Sequence, residues 1–297
     1  MTCHVCGKIT EYFLEKDGYS YQKCSFCGLV FVDPQPDDEY LDKEIYSEKS
    51  GYQGHKKKDL SKTKESPHAR RILNFLEKNS VVGNLLDVGC SSGEFLHHAK
   101  QRGFNTCGVE LNERTASIAQ GNGLNVIQGE LKDAHYDDDF FDTIFLGDII
   151  EHVQDPRGLL KGCYRILRSE GVLIISTPNL DSFWAKKTFL LYKFFKMPWS
   201  VLTPPHHLFQ FSEGNIKKFL EDNGFESVAV WFRRPPTLKY ELGSLHLWGK
   251  WKREKTLKNF FTMLFTFGSY TKLYTLNFLL TPFLKKNFGM VIICKKL

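Results

Sequence analysis

Nowhere in the 297 residues do about 18 uncharged apolar residues run together, which excludes a membrane-spanning helix of ordinary length. The start, Met1-Thr2-Cys3, has neither the basic stretch nor the apolar core of a secretory leader. Acidic residues are scarce towards the other end. From Trp231 to Leu297, 13 Lys and Arg face only 2 acids, whereas residues 1 to 230 carry 27 basic and 32 acidic side chains. The overall charge of +6 therefore belongs to the last quarter of the chain. These absences predict a cytoplasmic protein without a spanning helix.

The 8 cysteines do not suggest a secreted disulfide framework. Four form two pairs, Cys3-His4-Val5-Cys6 and Cys24-Ser25-Phe26-Cys27, while Cys90, Cys107, Cys163 and Cys294 lie in apolar or Gly-rich surroundings. A two-residue spacer lets both sulfurs of a pair reach one ion, and two pairs make a tetrahedral zinc site. Four thiolates leave no position open for substrate, so the predicted Zn2+ at Cys3, Cys6, Cys24 and Cys27 is structural. A redox role would need a strand-to-helix setting that this segment lacks. Each pair is followed by glycine, Gly7 and Gly28, which permits the turn that aims the sulfurs inward. Few basic residues occur in 1–32, which weighs against nucleic-acid binding by this ribbon.

Three parts are expected: a ribbon at 1–36, a linker or helical lid at 37–66, and a main domain at 67–297 with insertions at 181–211 and 237–287. The linker carries Tyr40, Tyr46, Tyr52 and a Lys56-Lys57-Lys58 run. From Pro67 onward helix and strand patterns alternate, which predicts a parallel sheet covered by helices. Strands are expected at 85–88, 106–109, 125–128, 141–146, 171–176, 227–231 and 290–294. Helices are expected at 68–78, 95–102, 114–120, 159–167 and 215–223.

The first strand of that domain runs into Asp87-Val88-Gly89-Cys90-Ser91-Ser92-Gly93. Glycines there let a ligand approach the backbone, and the following helix offers free N–H groups. Glu110, followed by Leu111, ends the next strand, where a carboxylate can accept both hydroxyls of a ribose. The turn lacks Gly-x-Gly-x-x-Gly, which argues against a dinucleotide.

Residues 67–235 resemble a class I S-adenosylmethionine-dependent methyltransferase. The resemblance rests on Leu86-Asp87-Val88-Gly89-Cys90, on Gly108-Val109-Glu110, on Phe141-Asp142-Thr143-Ile144, on Glu151-His152-Val153-Gln154-Asp155-Pro156, and on Ser176-Thr177-Pro178-Asn179. It implies an α/β fold: a Rossmann-like seven-stranded sheet carrying an N-terminal zinc ribbon and helical insertions. It also implies S-adenosylmethionine as cofactor. Asp87, Gly89, Cys90 and Gly93 would line the turn and its methionine end, Glu110 with Leu111 would hold the ribose, Glu130 and Leu131 would flank the adenine, and Asp148 would lie near the methionine. Ser91 departs from the pattern, since many relatives have glycine there.

Two histidine segments compete for proton removal from the acceptor. Pro205-His206-His207-Leu208-Phe209-Gln210-Phe211 is similar to the Glu-His-Leu-x-Tyr-Phe motif of zinc-binding sugar C-methyltransferases, which would make His207 the base. His206 stands in place of their Glu and Gln210 in place of their Tyr, and their second large domain is missing. A structural role for His206 and His207, pinning the loop, competes with catalysis. Asp148-Ile149-Ile150-Glu151-His152 resembles the Glu-x-x-Glu-His of ubiquinone-pathway O-methyltransferases. Its i, i+3 and i+4 positions would share a helical face able to hold a divalent ion, with His152 near the chemistry.

The insertions interleave aromatics with lysines: Phe183, Trp184, Phe189, Tyr192, Phe194, Phe195 and Trp199 with Lys186, Lys187, Lys193 and Lys196. A second stripe is Leu257, Phe260, Phe261, Leu264 and Phe265, nearly continued by Leu273, Leu276, Leu280 and Leu284. Such segments suit peripheral contact with an anionic inner membrane face. A helical cap on the core, or a homodimer interface, would use the same stripe. The expected activity is methylation of a sugar or glycan precursor, nucleotide-activated or lipid-linked. The alternatives are O-methylation of a prenylated phenol and, in another class, a zinc-ribbon nucleic-acid-binding protein with an inactive Rossmann core.

Overall fold

The computed structural model describes residues 1–37, 40–41, 59–195, 197, 199, 201–233, 238, 256–280 and 287–297. Most of the expected linker (42–58), Lys196, Leu284, and the stretches 239–255 and 281–286 of the second insertion lie outside the described residues.

The chain opens with three short strands, β1 (Thr10–Lys16), β2 (Tyr19–Cys24) and β3 (Val30–Val32). Alternation then sets in: α1 (Pro67–Lys78), β4 (Asn84–Val88), α2 (Glu94–Gln101), β5 (Asn105–Glu110), α3 (Glu113–Gly121), β6 (Asn125–Gln128), β7 (Phe141–Gly147), α4 (Pro156–Ile166) and β8 (Leu167–Pro178). After it come α5 (Phe183–Phe195), β9 (Phe209–Gln210), α6 (Glu213–Glu221), β10 (Phe225–Arg233), α7 (Leu257–Leu280) and β11 (Gly289–Lys296).

Seven strands form the main sheet in the order β10-β11-β8-β7-β4-β5-β6. The five strands from β8 to β6 are parallel, but β11 is antiparallel to both β8 and β10. The expected seven-stranded Rossmann-like sheet with covering helices is present, its parallel strands joined at one edge by an antiparallel pair. β4, β7 and β8 read as almost unbroken apolar runs because helices cover both faces of the sheet. The helix starts are set by local chemistry. Ser66, Asn112, Asp155 and Ser212 each accept a backbone N–H of the first turn of the helix they precede, and Pro67 and Pro156 occupy first-turn positions where no N–H is missed.

The ribbon strands are joined to the later chain by a shared sheet. β1, β2 and β3 form a four-stranded sheet whose last member is β9, from the segment after α5. Phe31 pairs with Phe209 and Val30 with Gln210. Cys3, Val5, Cys24, Leu29 and Phe31 share one buried cluster with Phe209, Phe211, Ile216 and Phe219 and with the main-sheet residues Leu146 and Ile175. On the other side Leu14, Tyr21, Val30 and Val32 pack with Trp184, Ala185, Leu202 and Tyr270. The short ribbon strands bury too little apolar surface to stand alone, and the first insertion completes their core.

Candidate active site

Gly89 has φ +72° and a close neighbour. A Cβ added there would lie 2.1 Å from Ile149 Cδ1, so only glycine fits the turn. The N–H groups of Gly89 and Cys90 both donate to the Val109 carbonyl, at 2.7 and 3.1 Å, which binds the turn to the neighbouring strand. Gly93 begins α2 with no side-chain cap, so the helix start keeps N–H groups for a ligand.

Glu110 closes the arrangement. Its Oε2 accepts the Ser91 N–H at 2.7 Å and its Oε1 accepts the Asn112 N–H at 2.9 Å. One carboxylate thereby fixes the ends of β4 and β5 together. It also explains how Ser91 tolerates φ +49°, since the bond holds its N–H in place. A carboxylate offers about four lone-pair sites, so each oxygen retains one for a further donor. Asp87 lies beneath, 4 % exposed, with its carboxyl raised well above the ordinary value by burial and by the Glu110 charge. Cys90 is buried beside the turn, and Leu111 is 38 % exposed. Glu130 opens a helical turn after β6, pairs with Lys132 at 2.7 Å and is followed by the half-buried Leu131.

Asp148 stands at the end of β7 in a turn. It has φ +56° and its carboxylate is clasped by both terminal nitrogens of Arg233 and by the Ser176 hydroxyl at 3.2 Å. Burial would raise this carboxyl, but the guanidinium holds it below the usual range. The left-handed residue breaks the chain direction, so 148–152 is a turn and not a helix. The expected common face of Asp148, Glu151 and His152 therefore does not form. Glu151 and His152 turn instead towards His207.

Glu151, His152 and His207 each place a ligand atom within 4.8 Å of the others. The backbone carbonyl of Glu151 accepts the N–H groups of Leu208 and Phe209, at 2.8 and 3.1 Å, and so holds the loop that carries His207. Its Oε2 accepts the Thr177 hydroxyl at 2.9 Å, while Oε1 is buried with no hydrogen-bond partner among the described residues. Burial, with Asp148 nearby, raises this carboxyl to about 8, so it carries a proton near neutrality. His152 Nδ1 lies 2.5 Å from the His206 carbonyl. A carbonyl can only accept, so Nδ1 carries the hydrogen and Nε2 keeps its lone pair. His207 sits edge-on to His152, 4.7 Å between ring centres. His206 contributes its carbonyl to this group, while its half-buried side chain is not part of the cluster.

Burial lowers His152 to about 4 and His207 to about 3. An unfolded chain takes up protons at both rings below about 6.5, and the folded one does not until near those values. The two rings thus add nothing above pH 6.5 and cost stability as pH falls from there. His207→Gln removes one such group, so near pH 5 the slope of unfolding free energy against pH should flatten by about 1.4 kcal/mol per pH unit. Denaturant titrations at stepped pH measure it, and parallel slopes would contradict the buried neutral ring.

The four ribbon sulfurs also lie within 4.8 Å of one another. Cys3 and Cys27 are 3.5 Å apart, as are Cys6 and Cys24. That is too far for a disulfide, and near the spacing of about 3.8 Å that tetrahedral zinc–sulfur bonds of about 2.3 Å impose. The Cys27 N–H points at Cys24 Sγ, 3.4 Å away. Burial opposes ionisation, but backbone N–H groups of Cys27 and Phe26 bring the Cys24 thiol down to about 7. Burial raises Cys3 and Cys27. Four crowded thiolates become stable together only around a cation, so the set fits one.

The sheet order, the glycine turn and the acid on the next strand define a Rossmann-like nucleoside-cofactor fold of the class I methyltransferase type. Residues 60–230 match the family model described as methyltransferase domain, and the chain belongs to that family: it carries an S-adenosylmethionine-dependent methyltransferase domain. Over 111 residues it is 29 % identical to a ubiquinone biosynthesis O-methyltransferase of Pseudomonas entomophila, a match covering 35 % of this chain and 48 % of that protein. The corresponding protein of Pseudomonas putida strain GB-1 is 30 % identical over the same length and coverage. The chain thus spans about half the length of the curated relatives it matches. Among solved structures, MccD protein superposes with a TM-score of 0.50 at 14 % identity, covering 79 % of this chain and 100 % of its own, a likeness of fold.

Sequence reasoning assigned no site role to Arg233, Thr177 or His68. His68 is held near 4 by burial and by Arg233, and it stands beside the Asp148–Arg233 pair. Arg233 and Asp148 are 85 positions apart, and no local pattern joins them.

Proposed function

We propose that the protein transfers the methyl group of S-adenosylmethionine to a sugar or glycan precursor, nucleotide-activated or lipid-linked. The observation that carries this reading is the pairing of the ribbon strand β3 with β9, next to His207 and above Glu151 and His152. The ribbon thereby forms part of the acceptor side, the arrangement on which the likeness to zinc-binding sugar methyltransferases rests. In this reading Gly89, Cys90 and Gly93 seat the methionine end of the cofactor over Asp87, Glu110 holds the ribose hydroxyls, and Leu111, Glu130 and Leu131 border the adenine. Asp148, paired with Arg233, lies near the methionine end.

Displacement at a sulfonium carbon needs the acceptor oxygen or carbon aligned with the methyl and relieved of its proton. In this reading His207, neutral and half-buried, is the base, and the His152 ring lies edge-on beside it. His206 fixes the tautomer of His152 through its carbonyl. The Cys3, Cys6, Cys24 and Cys27 set holds Zn2+ as a structural ion. His207→Ala should leave cofactor affinity within about twofold and lower turnover by about 100-fold or more. Loss of both would make the histidine structural.

A second reading, O-methylation of a prenylated phenol, is favoured by the Glu151–His152 pair and by the identity shared with the Pseudomonas enzymes. Radiolabelled methyl transfer to parallel panels of nucleotide sugars, lipid-linked sugars and prenylated phenols separates the two. Label entering phenols alone overturns the sugar reading.

A further inference from the structure

Helices α5 and α7 are built inside out. α7 buries Thr266, Tyr270 and Asn277 completely, while Phe261, Leu264, Phe265 and Leu279 stand 64, 48, 58 and 63 % exposed. α5 buries Trp184, Ala185 and Thr188 towards the ribbon and leaves Phe194 and Phe195 69 and 61 % exposed. Trp184 meets Tyr270 edge-on at 5.6 Å on the inner side, and Phe195 meets Phe265 at 6.2 Å on the outer side. The two outer faces therefore join in one apolar strip. A helix facing water normally has the opposite polarity, and a contiguous apolar patch marks a surface with a partner.

Charge selects that partner. Neither helix contains an acidic residue. Lys186, Lys187, Lys193 and Lys272 are exposed along them, with Lys187 over the Phe183 ring and Lys193 over the Phe194 ring. Asp181, just before α5, is neutralised by Lys186 at 3.1 Å. A second copy of this face would set lysines against lysines across a two-fold axis. An anionic lipid surface accepts both features, since ammonium groups reach lipid phosphates while aromatic rings enter the acyl boundary. No helix among the described residues is long and apolar enough to cross a membrane, so contact would be in the interfacial plane.

We propose that the joined outer face of α5 and α7 docks on an anionic lipid bilayer. α5 follows directly on β8, whose Thr177 touches Glu151, so docking would bring the acceptor side of the site towards lipid. This surface stands whether the acceptor is a sugar or a phenol, and its test needs no turnover.

Co-sedimentation of the full chain with phosphatidylcholine vesicles, with and without phosphatidylglycerol, reads the proposal. Wild-type protein should pellet with the anionic vesicles and remain in solution with the neutral ones. The double variant Phe261→Asp, Phe265→Asp should pellet at least about tenfold less. Lys186→Glu, Lys187→Glu, Lys193→Glu, which spares the apolar strip, should lose its preference for anionic lipid. Unchanged S-adenosylmethionine affinity shows that each variant is folded. Equal pelleting of wild type and both variants overturns the proposal. So does a wild-type dimer in light scattering that ignores vesicles and dissociates in the phenylalanine variant, which would make a second copy the occupant.

Discussion

Glu110→Ala should weaken S-adenosylmethionine binding in calorimetry by at least about 100-fold, the largest loss expected from any change of one cofactor-pocket side chain. The carboxylate accepts the Ser91 and Asn112 N–H groups, which locks the glycine turn, and in the proposed reading its remaining lone pairs would accept two ribose hydroxyls. Hydrogen bonds to a charged acceptor contribute about 1.5 to 3 kcal/mol each, so two lost together give about 3 to 6 kcal/mol, at or beyond the predicted factor. Glu110→Gln keeps the shape but has one acceptor oxygen, and it should fall between the two. Binding of the alanine variant within about threefold of wild type would place the ribose elsewhere. A pH titration separates the roles further, because removing Glu110 also takes away a negative charge that helps raise Asp87.

Much of this site could be read from short patterns, and the reason is physical. Strand, turn and helix in 84–128 are local objects, set by runs such as Leu85-Leu86-Asp87-Val88 and by caps such as Asn112, and the expected ends lie within a residue or two of those observed. The cysteine pairs were equally legible, because a chelating knuckle is four residues long. Long-range partners were not. The β3–β9 ladder joins residues almost 180 positions apart, and a two-residue strand has no period to detect. The antiparallel β11 reads as one more apolar run, since burial on both faces erases direction from its sequence. The Asp148–Arg233 clasp depended on a left-handed residue that nothing in Leu146-Gly147-Asp148 announces. In 257–265 the apolar stripe was visible, but periodicity tells which residues share a face and not whether that face looks in or out.

In the proposed reading, with Zn2+ on the four-cysteine cluster, stripping that ion should lower the melting temperature by about 10 °C or more and reduce turnover at least tenfold, while S-adenosylmethionine still binds. The route from the cysteine cluster to the histidine pair is continuous. Cys24 begins the turn that leads to β3, with its N–H bonded to the Leu29 carbonyl. β3 then donates the Val32 N–H to the Leu208 carbonyl, pairs with Phe209, and packs Phe31 against both the His4 and Phe209 rings. Leu208 and Phe209 donate in turn to the Glu151 carbonyl, which sets His207 against His152. Without a cation, thiols crowded at 3.5 Å must stay protonated or part, and the strand that borders the histidine loop loses its anchor. The cofactor turn is tied instead to β5, through Val109 and Glu110, and should survive. Chelator-treated and zinc-restored protein, with Cys24→Ser as the permanent version and Cys163→Ser as a thiol outside the cluster, give the comparison. A metal-free protein that melts and turns over like the loaded one would leave the ribbon as a passenger, and the histidine loop would have to owe its position to Glu151 alone.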